Sequence, residues 1–363
     1  MTYSAGIIGT GGVAGMGFIG VDESFNDREQ VRSTHAGGYD ATDDVELIAA
    51  CDTDEEQLAT FGDLWEVPPE NMYDDHRDML ESENLDALSI CTPTFLHRQH
   101  TLDALHVSNP PEVIWCEKPI ASSVSAGREM VRQCRDAGVE LVISYPRRFD
   151  PDYHLLRDKL LQEGVLGDVK SINLQFKREL LRNGAHMIDA VTYLLDDEVS
   201  ELTGFLTGTE ELTDSIVDSS DIDDSGGGAL LTMRDGTFVT VDCTVSRDVW
   251  SGYLRLLGTG GTLIIDQGDD EWRYWSDDGT DHRRTDLWDG YAAGPTPDLD
   301  ASFTNAAAHV VDLLDGVATN RSSGTDAIHV MEVLVGIFVS SYTGSHLSLP
   351  MERPLEDVSI RSW

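Results

Sequence analysis

Positive charge is what this chain has least of. Lysine occurs only at Lys118, Lys159, Lys170 and Lys177, and Lys and Arg together number 25 against 66 Asp and Glu, a formal net charge of −41. Nucleic acid and anionic membranes repel such a surface, so neither is expected as a partner. Cysteine is also sparse: Cys51, Cys91, Cys116, Cys134 and Cys243 are odd in number, scattered, and form no C-x-x-C. Neither a disulfide framework nor a zinc site is indicated by that pattern. No D-x-[DN]-x-[DN]-G loop ending in Glu is present, so the acidity is not a calcium-loop array, and no metal is expected. No apolar run approaches the roughly 18 residues of a membrane span, and no basic segment precedes the first apolar run, which points to reducing cytoplasm.

The acid that is present is spread through Asp43-Asp44, Asp74-Asp75, Asp196-Asp197-Glu198, Asp223-Asp224, Asp269-Asp270-Glu271 and Asp277-Asp278. Whole-surface acidity with few lysines resembles proteins from salt-loving cells. At about 1 M salt the screening length falls to about 3 Å, so dense like charge is tolerated and keeps the protein dispersed. Hydrophobic content of 40%, with 7 Trp, 10 Tyr and 10 Phe, is enough for buried cores, and 363 residues predict two domains.

Short apolar runs at Ala5–Ile8, Val45–Cys51, Ala87–Cys91, Val113–Cys116 and Val139–Ile143 alternate with helical patterns at Asp54–Phe61, Arg98–His106 and Ser122–Ala137. Near-continuous apolar strands between helices predict a parallel sheet covered on both faces, hence an α/β domain over residues 1–145. Beyond the Arg147–Pro151 joint the pattern changes. A helix at Asp152–Glu163 and another around His186–Leu195 accompany strands at Val169–Phe176, Gly228–Met233, Thr237–Ser246, Tyr253–Leu257 and Thr262–Asp266. Two closing helices, Ala301–Gly316 and Asp326–Ser341, complete an α+β domain over 146–363 with an open-faced, mainly antiparallel sheet. Thr209–Gly228 reads as a solvated excursion, and no internal repeat is visible.

The first strand breaks into Gly9-Thr10-Gly11-Gly12-Val13-Ala14, a G-x-G-x-x-A pattern leading into an expected helix. Glycine there lets the backbone turn tightly against a pyrophosphate, with helix N–H groups as donors, so Gly9, Thr10, Gly11, Gly12 and Val13 are expected at a dinucleotide. Asp52 ends the second strand, where a carboxylate takes the adenosine ribose; the plain alternative is a turn-capping aspartate. Its spacing is about twice the usual 20 residues, so Gly20–Thr34 reads as an inserted loop. A carboxylate disfavours a 2′-phosphate, and Thr53 and Asp54 offer it no positive charge; NAD is expected, with NADP as the alternative.

Thr92-Pro93 and Glu117-Lys118-Pro119 end the third and fourth runs, facing the crevice of an open parallel sheet. A lysine beside a carbinol oxygen orients it and stabilises developing negative charge, with Glu117 holding the ammonium; the plain alternative is a solvated ion pair. His186 follows Asn183-Gly184, an expected turn, and an imidazole suits proton exchange with a hydroxyl near neutrality. The alternative there is a packed or capping histidine.

These motifs together resemble the Gfo/Idh/MocA family of glucose–fructose oxidoreductase and inositol dehydrogenase relatives. The resemblance also takes in Arg147-Arg148-Phe149-Asp150-Pro151, Gly164-Val165-Leu166-Gly167, Gly184–Asp189, Gly258–Leu263 and Leu347–Pro350, so it covers nearly the whole chain. It implies a Rossmann domain, an open-sheet domain joining a homo-oligomer (dimer or tetramer), and NAD(P)-linked oxidation or reduction of a sugar, polyol or sugar derivative. Lys118 then matches the catalytic lysine and His186 the acid–base histidine. Thr92, Pro93, His97 and Glu117 match cofactor-side positions, and Tyr145, Arg148, Arg182 and Asn183 are expected near the substrate. One departure stands out: relatives carry Asp four residues before this histidine, and here it is Arg182. Either Arg182 turns outward and Asn183 meets a neutral sugar, or Arg182 binds an anionic one. Redox-assisted hydrolysis or elimination with tightly held NAD, and a non-catalytic NAD-binding sensor or scaffold, are the competing functions.

Overall fold

The computed structural model describes residues 2–17, 28–207, 222–245, 252–266, 271–276, 281–283 and 299–361. By internal contacts the chain forms two compact units. The first comprises Met1–Ala121, Ala126–Asp150 and Leu299–Ala327; the second comprises Ser122–Ser125, Pro151–Asp298 and Ile328–Trp363. A single cut at residue 145 therefore does not divide the chain.

The first unit is built on six parallel strands, β1 (Tyr3–Ile8), β2 (Val45–Cys51), β3 (Met72–Tyr73), β4 (Ala87–Ile90), β5 (Val113–Cys116) and β6 (Glu140–Ile143). Their order is β3-β2-β1-β4-β5-β6. β3 was not foreseen, because two residues make no apolar run; it moves Thr92-Pro93 and Glu117-Lys118 to the ends of the fourth and fifth strands. The order reverses between β1 and β4, and such a switch point opens a crevice at the carboxyl ends of the strands. Ala5, Ile7, Leu88, Ile90, Ile114 and Cys116 are completely buried, as strands covered on both faces require.

Five helices, α1 (His35–Asp40), α2 (Glu55–Trp65), α3 (His76–Ser82), α4 (Thr94–Leu105) and α5 (Val124–Ala137), belong to the first half of the chain. Thr34 caps α1 by accepting the Gly37 N–H, and Asp54 caps α2 by accepting those of Glu56 and Gln57. α4 starts four residues before the expected Arg98, directly after Pro93. The helix expected after the glycine turn is a single π-helical turn, Gly12–Met16. Residues 20–27 of the expected inserted loop lie outside the described residues.

The second unit holds α6 (Pro151–Leu161), β7 (Val169–Lys177), α7 (Leu180–Leu195), β8 (Val199–Thr207), β9 (Ile222–Asp223), β10 (Gly226–Met233), β11 (Phe238–Val245), β12 (Gly252–Gly258), β13 (Gly261–Asp266), β14 (Glu271–Ser276) and β15 (Asp281–Arg283). Thus 222–223 and 226–228, expected within a loop, are strand; 209–221 lie outside the described residues. α8 (Leu299–Leu314) returns to the first unit, α9 (Gly324–Thr343) runs from the first into the second, and β16 (Leu347–Ser348) and β17 (Ile360–Arg361) follow. The nine-stranded sheet runs β15-β14-β13-β12-β7-β11-β10-β8-β16, antiparallel except for the β7–β11 pair. One face packs inward through alternate residues such as Ile172, Leu174 and Phe176. On the other face Phe205, Leu230, Phe238 and Leu257 are 55%, 42%, 42% and 41% exposed, brought together by the register Gly228↔Phe205, Thr232↔Phe238 and Leu257↔Ser171.

α9 is long and apolar enough to cross a membrane, contrary to the sequence expectation, but 72% of its 18-residue apolar window is buried in protein. α8 buries Phe303, Ala306, Ala307 and Val310 in the first unit's core. It passes so close to α1 that a Cβ on Gly38 would stand 2.6 Å from the Phe303 carbonyl oxygen.

Candidate active site

At the switch point the chain leaves β1 through Gly9, whose φ of 86° is one that side-chain-bearing residues rarely adopt. A Cβ there would lie 2.9 Å from the carbonyl group of Cys91 and the methyl of Thr92. Gly11 is the opposite case: a Cβ would meet nothing within 4 Å. Its backbone, with those of Gly12 and Val13, is open to a ligand, whereas Gly9 and Thr10 are buried and shape the turn. Behind it, Ala14 is completely buried and the Trp65 indole donates to the Gly15 carbonyl at 3.0 Å, pinning the turn to α2. A cradle of exposed backbone at a strand end fits a pyrophosphate, although a five-residue turn supplies far less dipole than a full helix.

Asp52 shapes this cradle. Its Oδ2 accepts the Thr10 N–H at 2.7 Å, the Thr10 hydroxyl at 3.0 Å and the Gln57 amide at 2.8 Å, while Oδ1 accepts the Asp54 N–H at 3.0 Å. The turn-capping alternative is therefore real, and only Oδ1 keeps acceptor capacity for a ribose hydroxyl.

At the ends of β4 and β5, Thr92 and Lys118 are half-buried and Pro93 is exposed, which leaves all three able to face a ligand. The Thr92 hydroxyl lies 3.1 Å from His100 Nδ1. His97, expected as a cofactor contact, is 0% exposed, so the placement corrects that role. Its Nδ1 lies 2.9 Å from the Pro119 carbonyl and its Nε2 2.7 Å from that of Thr92, tying the two strand-end segments together. Burial lowers its pKa, against the opposing pull of these carbonyls and of Glu117.

Glu117 is 8% exposed and faces protein rather than a ligand. Its Oε1 lies 3.3 Å from His35 Nε2, and its Oε2 accepts the Lys118 N–H at 3.2 Å. Burial pushes the carboxyl up, but the His35 hydrogen bond, the Lys118 charge and the Ser144 hydroxyl outweigh it and hold it below its ordinary value. His35, Ser89 and Tyr39 escaped the sequence reading: no local pattern marks them, since His35 is 82 residues from Glu117. Tyr145 and Arg148, expected at the substrate, are 1% and 6% exposed. Arg148 donates to the Arg321 carbonyl at 3.0 Å and approaches Asp326 at 3.4 Å, which makes it a brace for the 321–326 segment.

In the second unit, His186 is half-buried on the second turn of α7. Asn183-Gly184 is not a turn but part of that helix, where a Cβ on Gly184 would crowd Leu334 Cδ2 at 2.8 Å and the Phe176 ring at 3.2 Å. The helix starts at Leu180, where Asp224 accepts the N–H groups of Leu181 and Arg182, both at 2.9 Å. The Asn183 amide donates to the Arg178 carbonyl at 2.6 Å, so its donor side is already used. The Arg182 side chain is 44% exposed, with Nη1 3.6 Å from Glu179 Oε2. Among the described residues no three His, Cys, Asp or Glu side chains gather as a metal site.

Comparison with known proteins meets this geometry at the same place. Residues 4–145 match the model of an oxidoreductase family with an NAD-binding Rossmann fold, GFO_IDH_MocA. D-Apiose dehydrogenase of Paraburkholderia graminis is 26% identical over 341 residues, covering 87% of this chain and 86% of its own. D-Glucoside 3-dehydrogenase of Escherichia coli is 30% identical over 180 residues, but that covers 44% of this chain and half (50%) of its own. A crystal structure of an oxidoreductase from Agrobacterium radiobacter in complex with NAD+, L-tartaric acid and magnesium superimposes over 96% of this chain and 98% of its own, with a TM-score of 0.74 at 19% identity, which shows a shared fold. The stretch that holds the glycine cradle, Asp52 and Lys118 is thus similar to the NAD-binding Rossmann domain of the Gfo/Idh/MocA oxidoreductases.

Proposed function

We propose that the whole chain is a Gfo/Idh/MocA oxidoreductase that oxidises or reduces a CH–OH group of a sugar or polyol. The observation that carries this reading is Lys118 directly after β5, its backbone N–H donating to the buried Glu117 carboxylate, at the same carboxyl edge of the parallel sheet as the Gly11 cradle. NAD, when bound, supplies the hydride acceptor. In this reading Lys118 holds the reacting oxygen and stabilises the negative charge that grows on it, while His186 is assigned to exchange the hydroxyl proton. Neutral substrates are favoured over sugar acids, because Glu179 already answers the Arg182 charge and no carboxylate stands at position 182 to serve as a base. Assignment to a homo-oligomer rests on the apolar open face around Phe205 and Phe238.

The deciding experiment is a panel of sugars, inositols and sugar acids assayed with NAD and NADP in molar salt. Formation of reduced nicotinamide with a neutral polyol, lowered by roughly 10²- to 10⁴-fold in Lys118→Ala with NADH binding retained, is expected. Arg182→Ala is expected to change KM for neutral and anionic substrates alike; a selective loss for anions would reverse the substrate class. Wild-type protein that binds NADH yet turns over nothing on the panel would reject the dehydrogenase reading.

A further inference from the structure

Behind Lys118 lies a buried chain of polar side chains that no contact with a ligand explains. Tyr39 Oη is 2.9 Å from Ser89 Oγ, Ser89 Oγ is 2.9 Å from His35 Nδ1, and His35 Nε2 is 3.3 Å from Glu117 Oε1. His35 and Ser89 are 0% and Tyr39 1% exposed. The His35 ring is stacked at 3.7 Å on Trp115, with Phe303 at 5.7 Å, so it cannot reorient without displacing the core. Only one arrangement of protons satisfies every member with a neutral ring. A carboxylate only accepts, so His35 donates Nε2–H to Glu117; Nδ1 must then accept from Ser89, and Ser89 Oγ accepts from Tyr39. Burial favours the neutral imidazole, against the pull of Glu117, and keeps the Tyr39 phenol protonated.

We propose that His35 is a positioning residue for Lys118: the chain Tyr39–Ser89–His35 locks the Glu117 carboxylate, ionised, against the segment that carries the lysine. This rests on the assignment of Lys118 to the reacting oxygen. The groups facing Glu117 are His35 from α1, Cys91 after β4, His97 from α4, Cys116 at the end of β5, Ser144 after β6 and Lys118 itself. Burial favours the neutral form of both thiols and both imidazoles, so Lys118 is the full positive charge among them. A buried carboxylate deprived of its donor is no longer held against the lysine's segment, so the neighbouring ammonium loses part of its counter-charge. His35 therefore controls the pH at which Lys118 gives up its proton, without touching substrate.

The chain's four lysines make this measurable without turnover. Reductive ¹³C-dimethylation keeps each lysine titratable, and Lys118→Arg assigns the Lys118 resonance. His35→Leu is expected to move the Lys118 titration midpoint down by about one pH unit. His35→Gln, whose amide can donate to Glu117 and accept from Ser89, is expected to restore it. The alkaline limb of the kcat/KM profile should move with the midpoint. An unmoved Lys118 midpoint in folded His35→Leu, whatever its melting temperature, would overturn the proposal. Should His35→Leu not fold, Ser89→Ala decides, since it leaves Nδ1 without its donor and is expected to shift the midpoint in the same direction by less; no shift there overturns the proposal equally. Wild-type protein inactive on the panel, with the His35→Leu shift present, would sink the dehydrogenase reading while leaving His35 as the residue that positions Glu117 beside Lys118.

Discussion

Two glycines two residues apart, Gly9 and Gly11, separate folding from binding. Gly9→Ala puts a Cβ at 2.9 Å from the Cys91 backbone and the Thr92 methyl at a φ of 86°, and it is expected to cost on the order of 1–3 kcal/mol of stability. Gly11→Ala meets nothing within 4 Å, so it should melt like the wild type while losing NADH affinity at least tenfold, because the methyl fills the space a phosphate needs. Paired melts and NADH titrations check both; equal melting temperatures for the two variants would refute the division. At this scale the sequence was legible where chemistry uses a short local pattern, as in Gly9–Ala14 and Glu117-Lys118-Pro119. It was misleading at His97, Tyr145 and Arg148, whose residue types suggest ligand contact but whose burial commits them to the protein. It was silent at His35, because the partnership of His35 and Glu117 exists only once α1 is laid against β5. Asp52 shows that two readings of one carboxylate are not exclusive, since one oxygen caps the turn and the other keeps acceptor capacity.

The element that matters most in the second unit is the start of α7. Glu179 precedes it at φ 87°, a conformation a non-glycine residue holds only under constraint, and Asp224 supplies that constraint through the Leu181 and Arg182 N–H groups. Burial raises the Asp224 pKa from 3.8 to about 6, the Glu179 charge adds to it, and the N–H groups of Leu181 and Arg182 oppose it. A folded pKa above the unfolded one means the folded state binds the proton more tightly. The contribution is thus fully present below about pH 4 and is lost as pH rises through about 6, up to about 3 kcal/mol in all. Asp224→Asn cannot ionise, so denaturant unfolding in molar salt should show the wild type losing stability relative to it between pH 4 and 6; parallel curves would refute the assignment. Helices and strands with long runs were legible in the sequence, whereas β3 and the π turn at Gly12–Met16 were not. Two residues of strand carry no periodicity, and a turn held by Trp65 from another helix takes its shape from tertiary contact.

At the scale of the whole molecule, charge and chain path dominate. A net charge of −41 works against compaction wherever salt does not screen it, so dialysis from molar to dilute buffer is expected to unfold the protein or abolish activity. Circular dichroism before and after a day at low salt checks this, and an unchanged spectrum with full activity would refute it. The two-domain plan was legible because apolar periodicity changes after residue 145, but the return of α8 to the first unit was not: an amphipathic helix announces that it will pack, never against which neighbour. That return has a consequence for synthesis. Phe303, Ala306 and Ala307 close the core over α1, and the first unit ends only at Ala327. A ribosome releasing this chain must therefore deliver the whole of Pro151–Asp298 before the first unit has all its parts, and a fragment cut at residue 150 would emerge with an uncovered flank.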